Sequence, residues 1–175
     1  MAISKEQFNA FLKSASEAAD VIRKRAESNE TIHVISHYDA DGLAAAGIIG
    51  KALERLEATF RIRIEKWIDE KVTEQVTADK ASLTIFTDFG SGYLDLLNAK
   101  LSDYAIAILD HHQPVSEPSS TFVHVNPHVH GIDGSRDLSG AGVAYFVAKA
   151  LDERNTDLAR IAVVGSLADL QDKYN

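Results

Sequence analysis

Ala105-Ile106-Ala107-Ile108-Leu109 runs directly into Asp110-His111-His112. An apolar stretch this short reads as a β-strand buried on both faces, as in a parallel sheet. Two other segments have the same form. Residues 83–86 are apolar or β-branched and lead to Thr87-Asp88-Phe89-Gly90, and residues 31–36 lead to His37-Tyr38-Asp39-Ala40-Asp41-Gly42. Each run ends in acids or imidazoles. In a parallel sheet the carboxyl ends of the strands open on one crevice, so these side chains are expected to meet.

Helical periodicity fills the intervals. Phe8, Phe11, Leu12, Ala15, Ala18, Ala19 and Ile22 predict a helix over 4–28, with Ser4 and Gln7 as its capping box. Residues 42–57 and 70–80 read as helices. Phe60, Ile62 and Ile64 alternate with Arg61, Arg63 and Glu65, which predicts a half-buried strand near the sheet edge. Leu94, Leu97 and Leu101 mark a further helix, and residues 122–125 a short strand ending at Asn126-Pro127. Residues 127–138 read as a polar loop, 140–152 as a helix capped by Ser139, and 157–170 as a last helix capped by Asp157 or Thr156. The alternation predicts an α/β fold, a mainly parallel sheet flanked by helices on both faces.

The chain has 175 residues, enough for one domain with a sizeable core, and shows no internal repeat or linker. It has no cysteine, which excludes disulfides and thiolate zinc sites. No apolar run reaches the roughly 20 residues of a membrane span, and a cytoplasmic location is expected. The formal charge of −8 argues against a broad basic nucleic-acid groove. Two bound divalent cations would offset half of it, at the place where a phosphate would sit.

The acids and imidazoles need such a partner. Two unit charges about 4 Å apart repel by roughly 4 kcal/mol at an effective dielectric of about 20. Several such pairs are a large penalty for a domain stable by about 5–15 kcal/mol. Taken singly, Asp39 and Asp41 could cap a helix and Asp88 could serve a turn. Three strands in succession ending this way have no such explanation. Mixed imidazole and carboxylate donors suit Mn²⁺, Zn²⁺ or Fe²⁺, and carboxylate-rich sets lean to Mn²⁺ and Mg²⁺. A pair of cations activates water and neutralises charge on phosphoryl oxygens. Separately, Arg136, Ser139 and the amides of Gly140 and Gly142 read either as a substrate-phosphate site at a helix N-terminus or as an ordinary helix cap with a surface arginine. His128 and His130 read as surface residues. His33, His124 and Trp67 read as structural.

These segments resemble the DHH phosphoesterase superfamily over essentially the whole chain. His37-Tyr38-Asp39-Ala40-Asp41-Gly42 resembles its first motif, Asp88 its second, Asp110-His111-His112 its third and Ala168-Asp169 its fourth. Within the superfamily the likeness is to archaeal RecJ-type exonucleases, especially the GINS-associated nuclease. It is carried by 108–112, Val125-Asn126-Pro127, 136–146 and 161–165. The resemblance implies that His37, Asp39 and Asp88 hold one metal. It implies that Asp41, Asp88, His111 and Asp169 hold the other, with Asp88 bridging. His112 would face the scissile phosphate, and Asp110 would fix an imidazole tautomer. Two divalent cations, Mn²⁺ first and Mg²⁺ second, are the expected cofactors.

The expected activity is that of a metal-dependent phosphodiesterase, the core of a single-strand exonuclease in DNA replication or repair. Single-stranded nucleic acid and the GINS complex are the expected partners. The alternatives are a relative that cleaves short oligonucleotides, cyclic dinucleotides or pyrophosphate, and a GINS-binding replisome scaffold with little activity. Relatives of this type continue into a second, substrate-gripping domain. Residues 1–175 are therefore expected to be the catalytic domain alone, truncated before the second.

Overall fold

The computed structural model describes residues 3–174. The elements are α1 (Lys5–Glu27), β1 (Ile32–His37), α2 (Ala40–Arg55), β2 (Phe60–Glu65), α3 (Glu70–Asp79), β3 (Leu83–Thr87), α4 (Leu94–Leu101), β4 (Ile106–Leu109), β5 (Phe122–Val125), α5 (Gly140–Leu151) and α6 (Ala159–Ala168). Each expected helix and strand is present, with ends shifted by a residue or two. The capping box of α1 forms as expected. Ser4 Oγ accepts from the Gln7 amide at 3.1 Å, and Gln7 Oε1 accepts from the Ser4 amide at 2.9 Å.

The five strands are parallel, in the order β2-β1-β3-β4-β5. Their period of two divides the core. Val34, Ile85, Ala107, Leu109 and Val125 face α1, α2 and α5. Ile35, Phe86, Ile106 and Ile108 face α3 and α4 on the other side. The chain leaves β1 through α2 on one face and leaves β3 through α4 on the opposite face. The order therefore reverses between β1 and β3, and a crevice must open there at the carboxyl ends of the strands.

Four expectations are corrected. Neither Asp157 nor Thr156 caps α6. Asp157 is drawn to Arg55, with Oδ1 and Oδ2 at 2.8 and 2.7 Å from the guanidinium. Thr156 donates back to the Glu153 carbonyl at 2.8 Å, and a 3-10 turn over Glu153–Leu158 feeds α6 directly. Residues Pro127–His130 form a 3-10 turn rather than open loop, and His128 and His130 are half-buried, not surface residues. Trp67 is 52% exposed and has no core role.

Candidate metal centre

Strand register brings the site together. Ser36 pairs with Thr87, Thr87 with Leu109, and Leu109 with Val125. The next residues, His37, Asp88, Asp110 and Asn126, therefore stand level at the mouth of the crevice. Asp39 is the N-cap of α2, accepting from the Gly42 amide at 2.9 Å, and Asp41 sits in the first turn of the same helix. Asp169 arrives from the end of α6. Asp88 adopts φ +63°, a left-handed conformation that aspartate tolerates better than most residues. That turn stops β3 and directs both carboxylate oxygens into the crevice.

Three groups of donor atoms result. His37, Asp39 and Asp88 form one, and Asp41, His111 and Asp169 form another; within each group the donors lie within 4.8 Å of one another. His37 Nδ1 is 2.9 Å from Asp39 Oδ2 and 3.5 Å from Asp88 Oδ2. His111 Nε2 is 3.2 Å from Asp88 Oδ1 and 3.8 Å from Asp41 Oδ2. Asp88 thus turns one oxygen to each group. The third group, Asp88 with Asp110, His111 and His112, has a different character. Asp110 Oδ1 accepts from the amides of His111 and His112 and from His112 Nδ1, and Oδ2 from the Ser91 amide. Asp110 Oδ1 is fully engaged and Oδ2 accepts one bond, so this carboxylate, unlike that of Asp88, is satisfied within the chain.

In contrast, His37 Nδ1, both Asp88 oxygens and His111 Nε2 are buried without a hydrogen-bond partner. Buried polar atoms of a native fold are rarely left this way. The His111 tautomer sharpens the point. Its Nδ1 lies 2.8 Å from the Gly134 carbonyl and must carry the proton that this contact needs. The Nε2 lone pair of the neutral ring then points at carboxylate lone pairs. Only a cation or a second proton on that nitrogen makes the arrangement favourable.

The ionisation pattern of the site says the same. Burial, then the charge of Asp88, pushes Asp41 up to about 7. Burial works against charge on His111, yet the Asp88 carboxylate overrides it and raises the imidazole to about 10. Burial likewise works against the ionised form of Asp88, but contact with His111 and then His37 holds it well below the carboxylate range. Contact with Asp88 raises His37 as well. Burial raises Asp169. The carboxylates thus retain protons or borrow them from imidazoles, which is how such a cluster behaves when protons stand where cations could.

Residues 31–166 match the model of the DHH family, N-terminal domain. The chain belongs to the DHH family. An uncharacterized protein of Methanocaldococcus jannaschii is 35% identical over 150 residues, which are 82% of this chain and 33% of that protein. The single-stranded-DNA-specific exonuclease RecJ of Bacillus subtilis is 29% identical over 168 residues, 91% of this chain and 21% of the enzyme. A crystal structure of exonuclease RecJ bound to manganese superimposes with a TM-score of 0.77 at 27% identity, over 90% of this chain and 43% of that one. This DHH chain spans a third or less of the curated relatives named here.

Of the two readings of 136–142, the helix cap is what forms, and the Gly140 and Gly142 amides are already engaged. The N-terminus of α5 does hold an anion, but the anion is the chain's own Asp41. Its Oδ2 accepts from the Gly140 amide at 2.7 Å and its Oδ1 from the Ala141 amide at 3.0 Å. The Gly142 amide is held by Ser139 Oγ at 3.2 Å, and both Ser139 and Gly140 are buried. Arg136 is directed to Asp137, with Nε and Nη2 each 2.9 Å from a carboxylate oxygen. The amides of Gly140, Ala141 and Gly142 are thus engaged within the chain, two of them in holding Asp41.

Other supports surround these residues, of which only Asn126, in the Val125-Asn126-Pro127 segment, stood out in the sequence. Gln171 donates to the Gly134 carbonyl at 2.9 Å, beside the His111 contact. Ser91 ties Asp110 to Asn126, whose Nδ2 reaches both Ser91 Oγ and the His112 carbonyl. Gly140 admits the Asp88 side chain. A Cβ there would lie 2.3 Å from Asp88 Oδ1 and 2.7 Å from its Cβ, so something must shift. Gly140→Ala should therefore weaken Mn²⁺ binding at least tenfold in calorimetry, while circular dichroism keeps the helical signal. Gly140 is the first residue of α5 and its backbone is ordinary helix, which alanine adopts freely, so the circular dichroism separates a displaced Asp88 from general unfolding. An unchanged affinity would show that this close approach does not position Asp88.

Proposed function

We propose that the chain is the catalytic portion of a divalent-metal-dependent phosphodiesterase that hydrolyses single-stranded nucleic acid, as the name of its RecJ relatives describes. The observation that carries this reading is the set of buried, unpartnered donors on Asp88, His37 and His111, converging from three strand ends. His37, Asp39 and Asp88 Oδ2 would hold one cation. Asp41, His111, Asp169 and Asp88 Oδ1 would hold the second. Imidazole mixed with carboxylate favours Mn²⁺ over Mg²⁺, although solved RecJ relatives hold either metal. When bound, the cations would supply activated water at neutral pH and charge neutralisation on the phosphoryl oxygens.

The chain's own part falls to His112. Its side chain is 51% exposed, and Nδ1 is fixed 2.8 Å from Asp110 Oδ1. Nε2 is thereby presented to an open cavity of about 280 Å³ lined by His37, Asp88, Phe89, Gly90, Tyr93 and Asp110. Contact with Asp110 raises the His112 pKa, which favours the form carrying a proton on both nitrogens. A phosphate oxygen or departing alkoxide in the cavity would accept from Nε2. His112→Gln should lower kcat by about 10²–10⁴ with Mn²⁺ affinity retained, since the side chain serves proton donation and not metal holding. A matching fall in metal affinity would reassign His112 to the ligand set.

The parent reading is tested by crystals grown with Mn²⁺ and measured at its absorption edge. Two anomalous peaks, one in each donor group, are expected; no peak there would remove the proposal. A second reading, a related enzyme for short oligonucleotides, cyclic dinucleotides or pyrophosphate, is favoured by the net charge of −8, which disfavours holding a long strand. Hydrolysis measured from dinucleotide to long oligomer separates the two, because activity confined to the shortest substrates selects the second.

A further inference from the structure

We infer that Trp67, with Lys66 and Tyr38, forms a base-stacking platform on the rim of the metal centre and takes a nucleobase of the strand being cut. The inference rests on the phosphodiesterase reading and deepens it, because a platform for bases selects nucleic acid over pyrophosphate.

Trp67 follows edge strand β2, whose last residue, Glu65, is level with His37 at the end of β1. The platform is therefore only two residues beyond the strand position that faces a proposed ligand. Tyr38 stands edge-on to the His37 ring, with centroids 4.9 Å apart. The Lys66 ammonium lies 4.9 Å from the Trp67 ring centroid and 5.8 Å from that of Tyr38. Trp67 and Tyr38 are 52% and 51% exposed. Both rings keep about half their surface accessible beside the Lys66 ammonium, so a flat apolar partner placed there would bury ring area and meet a positive charge together.

The occupant follows from charge as well as shape. A flat apolar ring beside an ammonium matches a nucleotide, whose base stacks while its phosphate pairs with the cation. A protein partner would not explain why the rings lie at the mouth of an acid–imidazole crevice. A phosphate chain without bases would use Lys66 and leave the rings bare.

Trp67 is the chain's single tryptophan, so its fluorescence reports this place alone. The experiment titrates the chain, with Ca²⁺ replacing Mn²⁺ to slow turnover, with oligothymidylate, an abasic oligomer of equal length, and pyrophosphate. Oligothymidylate should quench the emission strongly and the other two weakly. Base–aromatic stacking is worth about 1–3 kcal/mol per base, which corresponds to roughly 5- to 150-fold in affinity. In Mn²⁺, Trp67→Ala should raise the KM for oligothymidylate about tenfold, with the loss in KM rather than kcat, and Trp67→Phe should recover part of it. Equal quenching by the abasic oligomer, or parental KM in Trp67→Ala, would overturn the platform while leaving the hydrolase in place. Absence of Mn²⁺-dependent hydrolysis of any of these substrates by the parent chain would remove the reading beneath it, and the platform with it.

Discussion

Asp88→Asn is expected to abolish Mn²⁺-dependent hydrolysis, by about a thousandfold or more, and to remove the rise in Tm that Mn²⁺ gives the parent. Asp88 is 1% exposed, and its two oxygens face different donor groups. Replacing one oxygen by an amide removes the charge that both cations would share and presents N–H groups where a lone pair is required. Asparagine is the informative variant because it accepts the left-handed φ of +63° at this position, as aspartate does. Alanine would add backbone strain of about 1–3 kcal/mol and mix misfolding with lost chemistry. Hydrolysis and Mn²⁺ stoichiometry should be measured together on the folded variant. Parental turnover in Asp88→Asn would exclude a bridging role and with it the two-cation arrangement.

Much of this was legible in the chain. Buried strands announce themselves by short apolar runs, and right-handed crossovers leave few topologies, so the convergence of His37, Asp88 and Asp110 could be expected. What was not legible depends on tertiary partners. A Ser-Gly-Ala-Gly helix start advertises free amides, and only the fold reveals that Asp41, about a hundred residues earlier, has taken them. That Arg136 pairs with its neighbour Asp137 is likewise settled by the local turn and not by residue type. The left-handed turn at Asp88 has no composition signal, because an aspartate before Phe89-Gly90 suits several turns equally. Trp67 reads as structural from the sequence, yet it is 52% exposed. Its exposure follows from lying just past an edge strand, which has no neighbour to cover it. Asp157 was a sound cap candidate by type, but the Arg55 guanidinium from α2 competes for the same carboxylate and wins by a two-pronged contact.

In EDTA the Tm should fall as pH rises from 7 to 9, and saturating Mn²⁺ should reverse or flatten that fall. Folding raises His111 to about 10, whereas an unfolded histidine titrates near 6.5. The folded chain therefore keeps a proton that the unfolded chain has released, and the stability this supplies, complete below about 6.5, is lost as pH climbs toward 10. Asp41, raised to about 7, adds a loss of the same sign between about 4 and 7. His33, His124 and His130 are lowered by burial and act with the opposite sign, but only below about 6.5, outside the chosen window. Asp88 and Asp110 are lowered too, and their contribution is lost only as pH falls through the acid range. Each proton held in this way corresponds to at most about 1.4 kcal/mol per pH unit, or a fall in Tm of about 3–6 °C per unit for a chain of this size, and His37 and His112, raised by contact with Asp88 and Asp110, add to it with the same sign. A cation must displace the same proton from His111 Nε2, so its apparent affinity should grow nearly tenfold per unit over this range. At free Mn²⁺ about 100 times Kd, each site adds about 2.7 kcal/mol. The curves with and without Mn²⁺ should accordingly separate as pH rises. Parallel curves would mean that protons and cations do not compete for these atoms, and that the buried imidazole faces Asp88 as an ion-pair partner alone.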